Sequence, residues 1–290
     1  MPAKIMDGKK LSEEILTQLR ARVQRLRAKG IVPKLDIILV GDDEASQIYV
    51  RKKMQSSESI GMKSELHQFP KNAESEEIIG MVERLNSEKS VHGILVQIPM
   101  PSHIEEQKVL DSICPEKDVD GLTTYNMGNL FAGETKFEPC TPKGIMRMID
   151  HEKIQVKGKN AVIIGRSNIV GKPLSVMLLK RDATVTVCHS KTSDLKMHTK
   201  NADIVVTAVG KPGILTAEMV KDGAVVIDAG ISRQDNVITG DVDFEKVKEK
   251  ASRITPVPGG VGPLTVAMVL ENTIISAERM LPADKASPTD

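Results

Sequence analysis

Short aliphatic runs alternate with stretches of helical periodicity over most of the 290-residue chain. The N-terminal half has strand-like runs at 34–40, 64–69 and 93–98, separated by helix-like stretches at 44–60 and 75–86. The C-terminal half has strand-like runs at 160–164, 184–188, 203–209 and 224–228. This alternation is typical of repeated βα units, so we expect an α/β fold built on parallel-type sheets.

Turn-forming and polar residues interrupt this rhythm over 115–138. We expect that segment to be the crossover between two domains, with a helix at 142–149 beyond it. Near the ends of the chain, helical spacing predicts a first helix after Ser12, with two glutamates in its first turn, and a last helix after Pro263. The polar tail from Pro282 is expected to be frayed.

The charge balance and the cysteines limit the partners. Lys and Arg number 40 against 39 Asp and Glu, and a net charge of +1 argues against a nucleic acid or an anionic membrane held by bulk electrostatics. No apolar run approaches the ~18 residues of a membrane span, and the first ten residues contain no apolar signal segment. Cys114, Cys140 and Cys188 form no CxxC pair, which argues against a disulfide framework or a zinc site. We therefore expect a cytoplasmic protein without a bound metal.

A strand, a glycine turn and a helix follow one another at the start of the second series. The aliphatic run at 161–164 leads directly into Gly165, Arg166 and Ser167, and a helix is expected after Gly171. Such a turn lets a pyrophosphate reach backbone N–H groups at a helix N-terminus. The second glycine of the GxGxxG fingerprint is missing, and an ordinary glycine-capped βα turn has the same pattern.

The end of the next strand bears on the choice of cofactor. In NAD-binding relatives of this architecture, an acidic residue about 20 residues past the glycines binds the ribose 2′-hydroxyl. Here the strand ends in Cys188-His189-Ser190-Lys191, without a carboxylate. Hydroxyls and a lysine facing Arg166 suit a 2′-phosphate, so the sequence favours NADP over NAD. A polar turn without a ligand is the alternative, and we infer no role for His189.

Three segments of the N-terminal half carry candidate chemistry. Tyr49 and Lys53 are four residues apart and share one helix face, although a solvated face has the same pattern. Gln97 ends a buried-looking strand, where open α/β sheets bind ligands, although such an amide can also satisfy a loop. Asp120 precedes a glycine and indicates either a simple turn or a carboxylate that accepts paired N–H bonds from an amidine-like ligand group.

These residues belong to a larger set of motifs: Tyr49-x-x-x-Lys53, Val96-Gln97-Ile98-Pro99, Asp118-Val119-Asp120-Gly121, Pro139-Cys140-Thr141-Pro142-Lys143-Gly144, Gly165-Arg166-Ser167 and Pro258-Gly259-Gly260-Val261-Gly262-Pro263. In this order and spacing, over essentially the whole chain, they resemble the bifunctional methylenetetrahydrofolate dehydrogenase/cyclohydrolase family. The last motif, followed by Thr265, is the most specific. Ile98, Met100 and Leu264 depart from the usual family residues by apolar exchanges, which bear on packing more than on chemistry.

The resemblance implies a fold and an activity. The fold is two α/β lobes: a folate-binding catalytic lobe over 1–138 and a Rossmann-like NADP-binding lobe over 139–263, with a C-terminal helix over 264–290 that returns to the first lobe. The activity is NADP-dependent oxidation of 5,10-methylenetetrahydrofolate, followed by hydrolysis of the methenyl cation to 10-formyltetrahydrofolate. The family resemblance also implies a homodimer.

The resemblance further assigns roles to individual residues. Lys53 is expected to be the catalytic base or electrostatic centre, with Gln97 hydrogen-bonded to it, while Tyr49 positions and stacks on the folate. Asp120 is expected to anchor the pterin. The remaining expected substrate contacts are Val96, Ile98, Pro258, Gly259, Gly260, Val261 and Gly262, and the expected NADP contacts are Gly165, Arg166, Ser167, Ser190 and Ile231.

Other functions remain open at this point. The runner-up is a relative that keeps only the dehydrogenase, followed by an NADP dehydrogenase with a non-folate substrate and a non-catalytic NADP-binding protein. Hydrolysis of a cation needs a base that is neutral near pH 7, and a lysine reaches that state only when it is desolvated or lies beside positive charge. Because Tyr49, Lys53, Gln97 and Asp120 are all retained, we favour the bifunctional enzyme.

Overall fold

The computed structural model describes residues 2–234 and 237–280. In chain order the elements are β1 (Lys4–Ile5), α1 (Gly8–Ala28), β2 (Lys34–Val40), α2 (Glu44–Ser59), β3 (Lys63–Phe69), α3 (Ser75–Ser87), β4 (Gly93–Val96), α4 (Glu106–Asp111), α5 (Thr124–Ala132), α6 (Cys140–His151), β5 (Asn160–Ile164), α7 (Gly171–Leu179), β6 (Thr184–Cys188), α8 (Leu195–Thr199), β7 (Ile204–Thr207), a 3₁₀ turn (Ala217–Met219), β8 (Val225–Asp228), β9 (Ser232–Gln234), β10 (Val237–Thr239), α9 (Phe244–Val247), β11 (Arg253–Ile254) and α10 (Val261–Arg279).

The chain divides into two compact units. Residues 14–140 group with the described residues from 266 onward, and we call this part the N-terminal unit. Residues 2–13 and 141–265 form the other part, which we call the central unit. Both contain parallel sheets with helices, so the predicted α/β class is confirmed.

The N-terminal unit has a three-stranded parallel sheet in the order β3-β2-β4. Five of the seven residues of the central strand β2 are apolar and six are buried, which is typical of a parallel strand covered on both faces. Helix α3 packs on this sheet through Ile78, Val82 and Leu85, which follow one another at helical spacing. The sheet therefore supplies a rigid edge at the carboxyl end of β4.

The central unit has a six-stranded sheet in the order β1-β11-β8-β7-β5-β6, in which every described pairing is parallel. An antiparallel hairpin of β9 and β10 follows β8. Because the strands are parallel, the carboxyl ends of β5, β6, β7 and β8 share one edge, where open α/β sheets bind ligands. This edge carries the expected cofactor residues.

The structure differs from the predicted boundaries at the first helix and at the segment 115–138. The first helix begins at Gly8 and not after Ser12, because the carboxylate of Asp7 accepts the backbone N–H of Lys10 and so caps an earlier turn. The segment 115–138, predicted as the crossover between two domains, lies within the N-terminal unit and contains helix α5, in which the N–H of Asn126 donates to the hydroxyl of Thr123. The predicted frayed tail lies outside the described residues.

Among the described helices, none has the length and apolar character that crossing a membrane requires.

Candidate active site

Lys53 lies on the packed face of α2. Ser46, Val50, Lys53 and Ser57 are all buried and recur at helical spacing, so they form one stripe. The Lys53 residue is only 6% exposed, and its Nζ donates a hydrogen bond of 2.8 Å to Oε1 of Gln97. The alternative in which Lys53 belongs to a solvated helix face is therefore wrong.

Gln97 follows β4 directly and is fixed from two sides. Its backbone N–H donates to the carbonyl of Ile38 at 2.8 Å, which continues the ladder between β2 and β4. Its side-chain Nε2 donates to the carbonyl of Ile98 at 2.7 Å. Because the amide nitrogen is engaged there, the amide oxygen is the atom that faces Lys53. Gln97 thus orients the lysine Nζ.

The segment that carries Asp120 runs alongside β4. Ile94 and Asp118 form a parallel bridge. Val96 and Asp120 lie two residues further along the same two segments. Lys53 and Asp120 are electrostatic neighbours: burial lowers the pKa of Lys53 and raises that of Asp120, and the charge of each group partly offsets the effect of burial on the pKa of the other. The structure thus brings Lys53, Gln97 and Asp120 together within the N-terminal unit.

One buried carboxylate holds the loop around Asp120. Asp118 is 1% exposed and accepts the backbone N–H groups of Gly121, Leu122 and Thr123 at 2.9, 3.2 and 2.9 Å. It also accepts the side-chain Nδ2 of Asn126 at 2.8 Å. Gly121 has a φ of +72°, a conformation that favours glycine. The alternative in which this motif is only an Asp-Gly turn does not include the role of the Asp118 carboxylate in holding the loop.

Helix α10 supports the same loop from behind. Asn272 donates from its Nδ2 to the carbonyl of Val119 at 2.8 Å, and the thiol of Cys140 donates to that carbonyl at 3.2 Å. Both Asn272 and Cys140 are buried. The backbone directly before Asp120 is therefore fixed by two polar side chains that no sequence motif marked as a pair.

Lys117 anchors the loop to helix α3. It is 6% exposed, and its Nζ donates to the carbonyls of Leu85, Asn86 and Glu88 at 2.9, 2.8 and 2.8 Å. A cation at this place satisfies the free carbonyls at the helix C-terminus. Burial lowers the pKa of Lys117. The sequence did not predict this role, because a lysine in a turn-like sequence is usually exposed.

Burial shifts the ionisation of the candidate catalytic groups. It lowers the pKa of Lys53, while the charge of Asp120 acts in the opposite sense. Burial raises the pKa of Asp120, which the charge of Asp118 raises further. Burial also raises the pKa of the half-buried Tyr49. The site thus favours the neutral form of Lys53 more than water does, which is the form a base requires.

The glycine turn after β5 is tightly packed. Gly165 has a φ of +128°, and a Cβ there would lie 2.5 Å from the carbonyl oxygen of Ala208. A Cβ at Gly171 would overlap the carbonyl of Gly165, so neither glycine has room for a side chain. The hydroxyl of Ser167 accepts the N–H of Val170 at 3.1 Å, just before α7. The turn therefore brings its backbone close to the start of α7, as the sequence predicts.

The expected 2′-phosphate residues lie at the ends of neighbouring strands. Gly165 donates its N–H to the carbonyl of Cys188 at 2.9 Å, which joins the ends of β5 and β6. Arg166 and Ser190 follow these two ends and are exposed. The set contains a cation and a hydroxyl and no acid, which fits a ribose 2′-phosphate better than a 2′-hydroxyl. Ile231 follows β8 on the same edge and is 44% exposed.

The glycine-rich loop before α10 belongs to the central unit. Pro258 is exposed, and Gly259 has a φ of +104° and accepts the N–H of Lys9 at 3.0 Å through its carbonyl. Gly260 is buried, and Val261 and Gly262 begin α10. The closure of this loop over a substrate stays a prediction.

One group of residues outside this site has the donors of a metal centre. Ligand atoms of Asp36, Glu65 and His67 lie within 4.8 Å of one another. The Nζ of Lys34 lies 3.1 Å from Oδ1 of Asp36 and 2.7 Å from Oε2 of Glu65. An ammonium group thus already serves as the cation for these carboxylates.

Comparison with protein-family models identifies both halves of the chain. Residues 6–120 match the tetrahydrofolate dehydrogenase/cyclohydrolase catalytic domain, and residues 139–281 match the NAD(P)-binding domain of the same family. The chain belongs to the tetrahydrofolate dehydrogenase/cyclohydrolase family. The predicted resemblance is confirmed.

Individual relatives agree with this assignment. The Bifunctional protein FolD of Nitrosospira multiformis is 53% identical over 280 residues, which cover 96% of this chain and 97% of the relative. The FolD crystal structure from Campylobacter jejuni is 48% identical, with a TM-score of 0.94, and the match covers 96% of this chain and all of that one. The Trypanosoma brucei enzyme, solved with NADP cofactor and inhibitor, is 38% identical with a TM-score of 0.93, and the match covers 96% of this chain and 98% of that one.

The family assignment confirms the predicted activity. The chain is an NADP-dependent methylenetetrahydrofolate dehydrogenase and methenyltetrahydrofolate cyclohydrolase of folate one-carbon metabolism. NADP as the cofactor is also confirmed, by the matched NAD(P)-binding domain and by the NADP complex of the trypanosomal relative. The relatives described as bifunctional match this chain over nearly its whole length at about 50% identity.

Proposed function

We propose that Lys53, Tyr49, Gln97 and Asp120 form one folate site that serves both half-reactions. The observation that carries this proposal is the buried hydrogen bond of 2.8 Å between Lys53 and Gln97, with Asp120 as an electrostatic neighbour. A buried lysine without a full counter-ion contact costs stability, and such costs are typical of functional sites. Val96 and Ile98 flank Gln97 and complete the site.

Lys53 acts as the base in the hydrolysis. Water attacks the methenyl carbon, and the neutral Nζ takes one of its protons. The bond between that carbon and N5 then breaks as the formyl carbonyl forms, and the hydroxyl proton passes to N5. Positive charge on the folate also favours a neutral lysine beside it, in the same direction as burial. Gln97 keeps the Nζ lone pair in a fixed direction by accepting one of its hydrogens.

The same residues position the folate for oxidation. NADP supplies the hydride acceptor, and this chain supplies the alignment of the methylene carbon toward it. The carboxylate of Asp120 accepts N–H groups of the pterin, and the ring of Tyr49 stacks on the folate. The loop of Pro258, Gly259, Gly260, Val261 and Gly262 closes over the substrate.

NADP binds along the carboxyl edge of the sheet in the central unit. The pyrophosphate lies at the turn of Gly165 and Ser167, where backbone N–H groups and the start of α7 favour an anion. Arg166 and Ser190 bind the 2′-phosphate, and Ile231 contacts the cofactor further along the edge. Support comes from the close-packed glycines and from the missing acid after β6.

The lobes, the assembly and the compartment complete the proposal. The folate lobe spans 1–138 apart from its first residues, since 2–13 and with them β1 group with the central unit. The NADP lobe spans 139–263, and the helix from 264 returns to the folate lobe. The enzyme works in the cytoplasm, consistent with three free cysteines. It is a homodimer, so light scattering should give twice the chain mass of 31.6 kDa, and a monomer mass at assay concentration would contradict this part.

The substitution Asp120→Asn tests the folate site. The amide keeps the shape but presents an NH2 group to the pterin donors, so we expect the KM for methylenetetrahydrofolate to rise by about tenfold or more. Binding of NADP should not change. The control Asp42→Asn alters an exposed carboxyl of the same unit and should change neither value. An unchanged folate KM in Asp120→Asn would reduce Asp120 to a turn residue.

A further inference from the structure

Two large apolar side chains are exposed at the carboxyl edge of the sheet in the central unit. Val209 lies just beyond β7 and is 40% exposed, and Ile231 lies beyond β8 and is 44% exposed. Val209 also borders the cofactor turn, because a Cβ at Gly165 would lie 3.3 Å from its Cγ1. Exposed apolar groups beside a ligand-binding turn are suited to covering a ligand.

The strand order indicates which part of the cofactor these side chains meet. Arg166 and Ser190 direct the 2′-phosphate, and hence the adenosine, toward β6 at one side of β5. The strands β7 and β8 lie on the other side of β5. An extended dinucleotide that crosses β5 at its pyrophosphate therefore has its nicotinamide end over Val209 and Ile231.

A buried carboxylate fixes the loop that carries Val209. Asp241 is fully buried, and its two oxygens accept the backbone N–H of Val209 at 2.8 Å and that of Lys211 at 2.7 Å. Gly210 between them accepts the hydroxyl of Ser232 at 2.7 Å. The loop after β7 is thereby tied to the segment after β8.

The same carboxylate also packs on the segment that leads to Ile231. A Cβ at Gly230 would overlap the carboxylate of Asp241, so this glycine is required for the close approach. The neighbouring carboxylate of Asp228 accepts the N–H of Gly230 at 2.9 Å. Asp241 therefore touches the backbone on both sides of the apolar surface but does not reach the surface itself.

We propose that Asp241 is a positioning residue that holds Val209 and Ile231 as an apolar wall against the nicotinamide end of NADP. This inference rests on the proposed location of the cofactor and adds two residues, Asp241 and Val209, to it. Asp241 touches no reacting atom. It fixes the apolar surface that aligns the nicotinamide for hydride transfer.

The test compares the substitution Asp241→Asn with the unaltered enzyme in calorimetric titrations of two probes. NADPH occupies both the adenosine and the nicotinamide ends of the proposed site, whereas adenosine 2′,5′-bisphosphate occupies only the adenosine 2′-phosphate end. The new NH2 group faces either the N–H of Val209 or that of Lys211 and displaces the loop. We expect the Kd of NADPH to rise about tenfold and the Kd of the bisphosphate to stay unchanged.

The two half-reactions provide a second readout. Hydrolysis of methenyltetrahydrofolate consumes only water, so Asp241→Asn should retain it while the dehydrogenase KM for NADP rises. The matched control Asp203→Asn removes a carboxylate that accepts the N–H of Asn160 at 3.0 Å at the opposite edge of the same sheet, and it should not alter NADPH binding.

Distinct outcomes would overturn the inference. Equal weakening of NADPH and the bisphosphate in Asp241→Asn would mean a general loss of structure, and unchanged NADPH binding would mean that no positioning occurs. If Asp241→Asn does not fold, Val209→Ala is the second variant, because it keeps every backbone donor. Normal NADPH binding in Val209→Ala would show that Val209 does not contact the cofactor and would overturn the inference. Failure of the proposed cofactor location would be seen separately, because Arg166→Ala would then leave the binding of both probes unchanged.

Discussion

Replacement of Asp118 by alanine measures how strongly one carboxylate holds the folate loop. The buried backbone N–H groups of Leu122 and Thr123 lose their acceptor. The N–H of Gly121 keeps only the backbone carbonyl of residue 118 at 3.2 Å, and the amide of Asn126 keeps only the carbonyl of Pro115. Each buried donor without a partner costs about 1–3 kcal/mol. Because these donors share one acceptor their costs do not simply add, and we expect the free energy of unfolding to fall by about 3–5 kcal/mol.

Urea unfolding followed by circular dichroism gives this value, and Asp111→Ala is the matched control. Asp111 accepts the N–H and the hydroxyl of Thr124 at 2.6 and 2.8 Å, but it is exposed, so water replaces it and the loss should stay below about 1 kcal/mol. Asp118→Ala should also raise the KM for folate, because Asp120 stands on the released loop. Equal losses of stability in the two variants would refute the anchoring role.

Three further predictions concern the cofactor, the loop and the pH dependence. Arg166→Ala should weaken NADP binding about ten- to a hundredfold and leave NAD binding nearly unchanged, and titration of both cofactors checks this. Gly121→Ala should lower the free energy of unfolding by about 1–2 kcal/mol or more, since its φ is +72° and a Cβ would lie 2.9 Å from the carbonyl oxygen of Phe137; urea unfolding measures it. The rate of methenyltetrahydrofolate hydrolysis should fall as the pH falls through the pKa of Lys53, which lies below the ordinary value of 10.5, because only the neutral amine accepts a proton. A pH–rate profile of Lys53→Met should lack that limb.

Most of the longer parallel strands could be predicted from the sequence because aliphatic residues dominate them, as in β4, β5, β7 and β8. The structure has β2, β5 and β6 at the bounds that the sequence indicates. The two-residue strands β1 and β11 could not be predicted, since two residues carry no period and their pairing joins Lys4 to Arg253 across most of the chain. The early start of the first helix was missed because Asp7 competes with Ser12 as a cap.

The candidate site was predictable through its motifs but not through its packing. Tyr49 and Lys53 share a helix face by spacing alone, yet that spacing does not distinguish a buried face from a solvated one. Lys117, Asp118 and Asp241 are charged residues in turn-like sequences, which favours an exposed position. Their burial depends on carbonyls and N–H groups contributed by other segments, and such partners become visible only when the chain is folded.

The substitution Lys53→Met tests the central claim most directly, with Lys52→Met as the control on the exposed face of the same helix. Methionine keeps the length and apolar packing but removes the base and its charge. Both half-reactions are assayed on folded protein, with the second started from methenyltetrahydrofolate. We predict that hydrolysis falls at least about a hundredfold in Lys53→Met, that hydride transfer falls less, and that NADP binding and the Lys52→Met control stay normal. Near-normal hydrolysis in Lys53→Met would contradict the account.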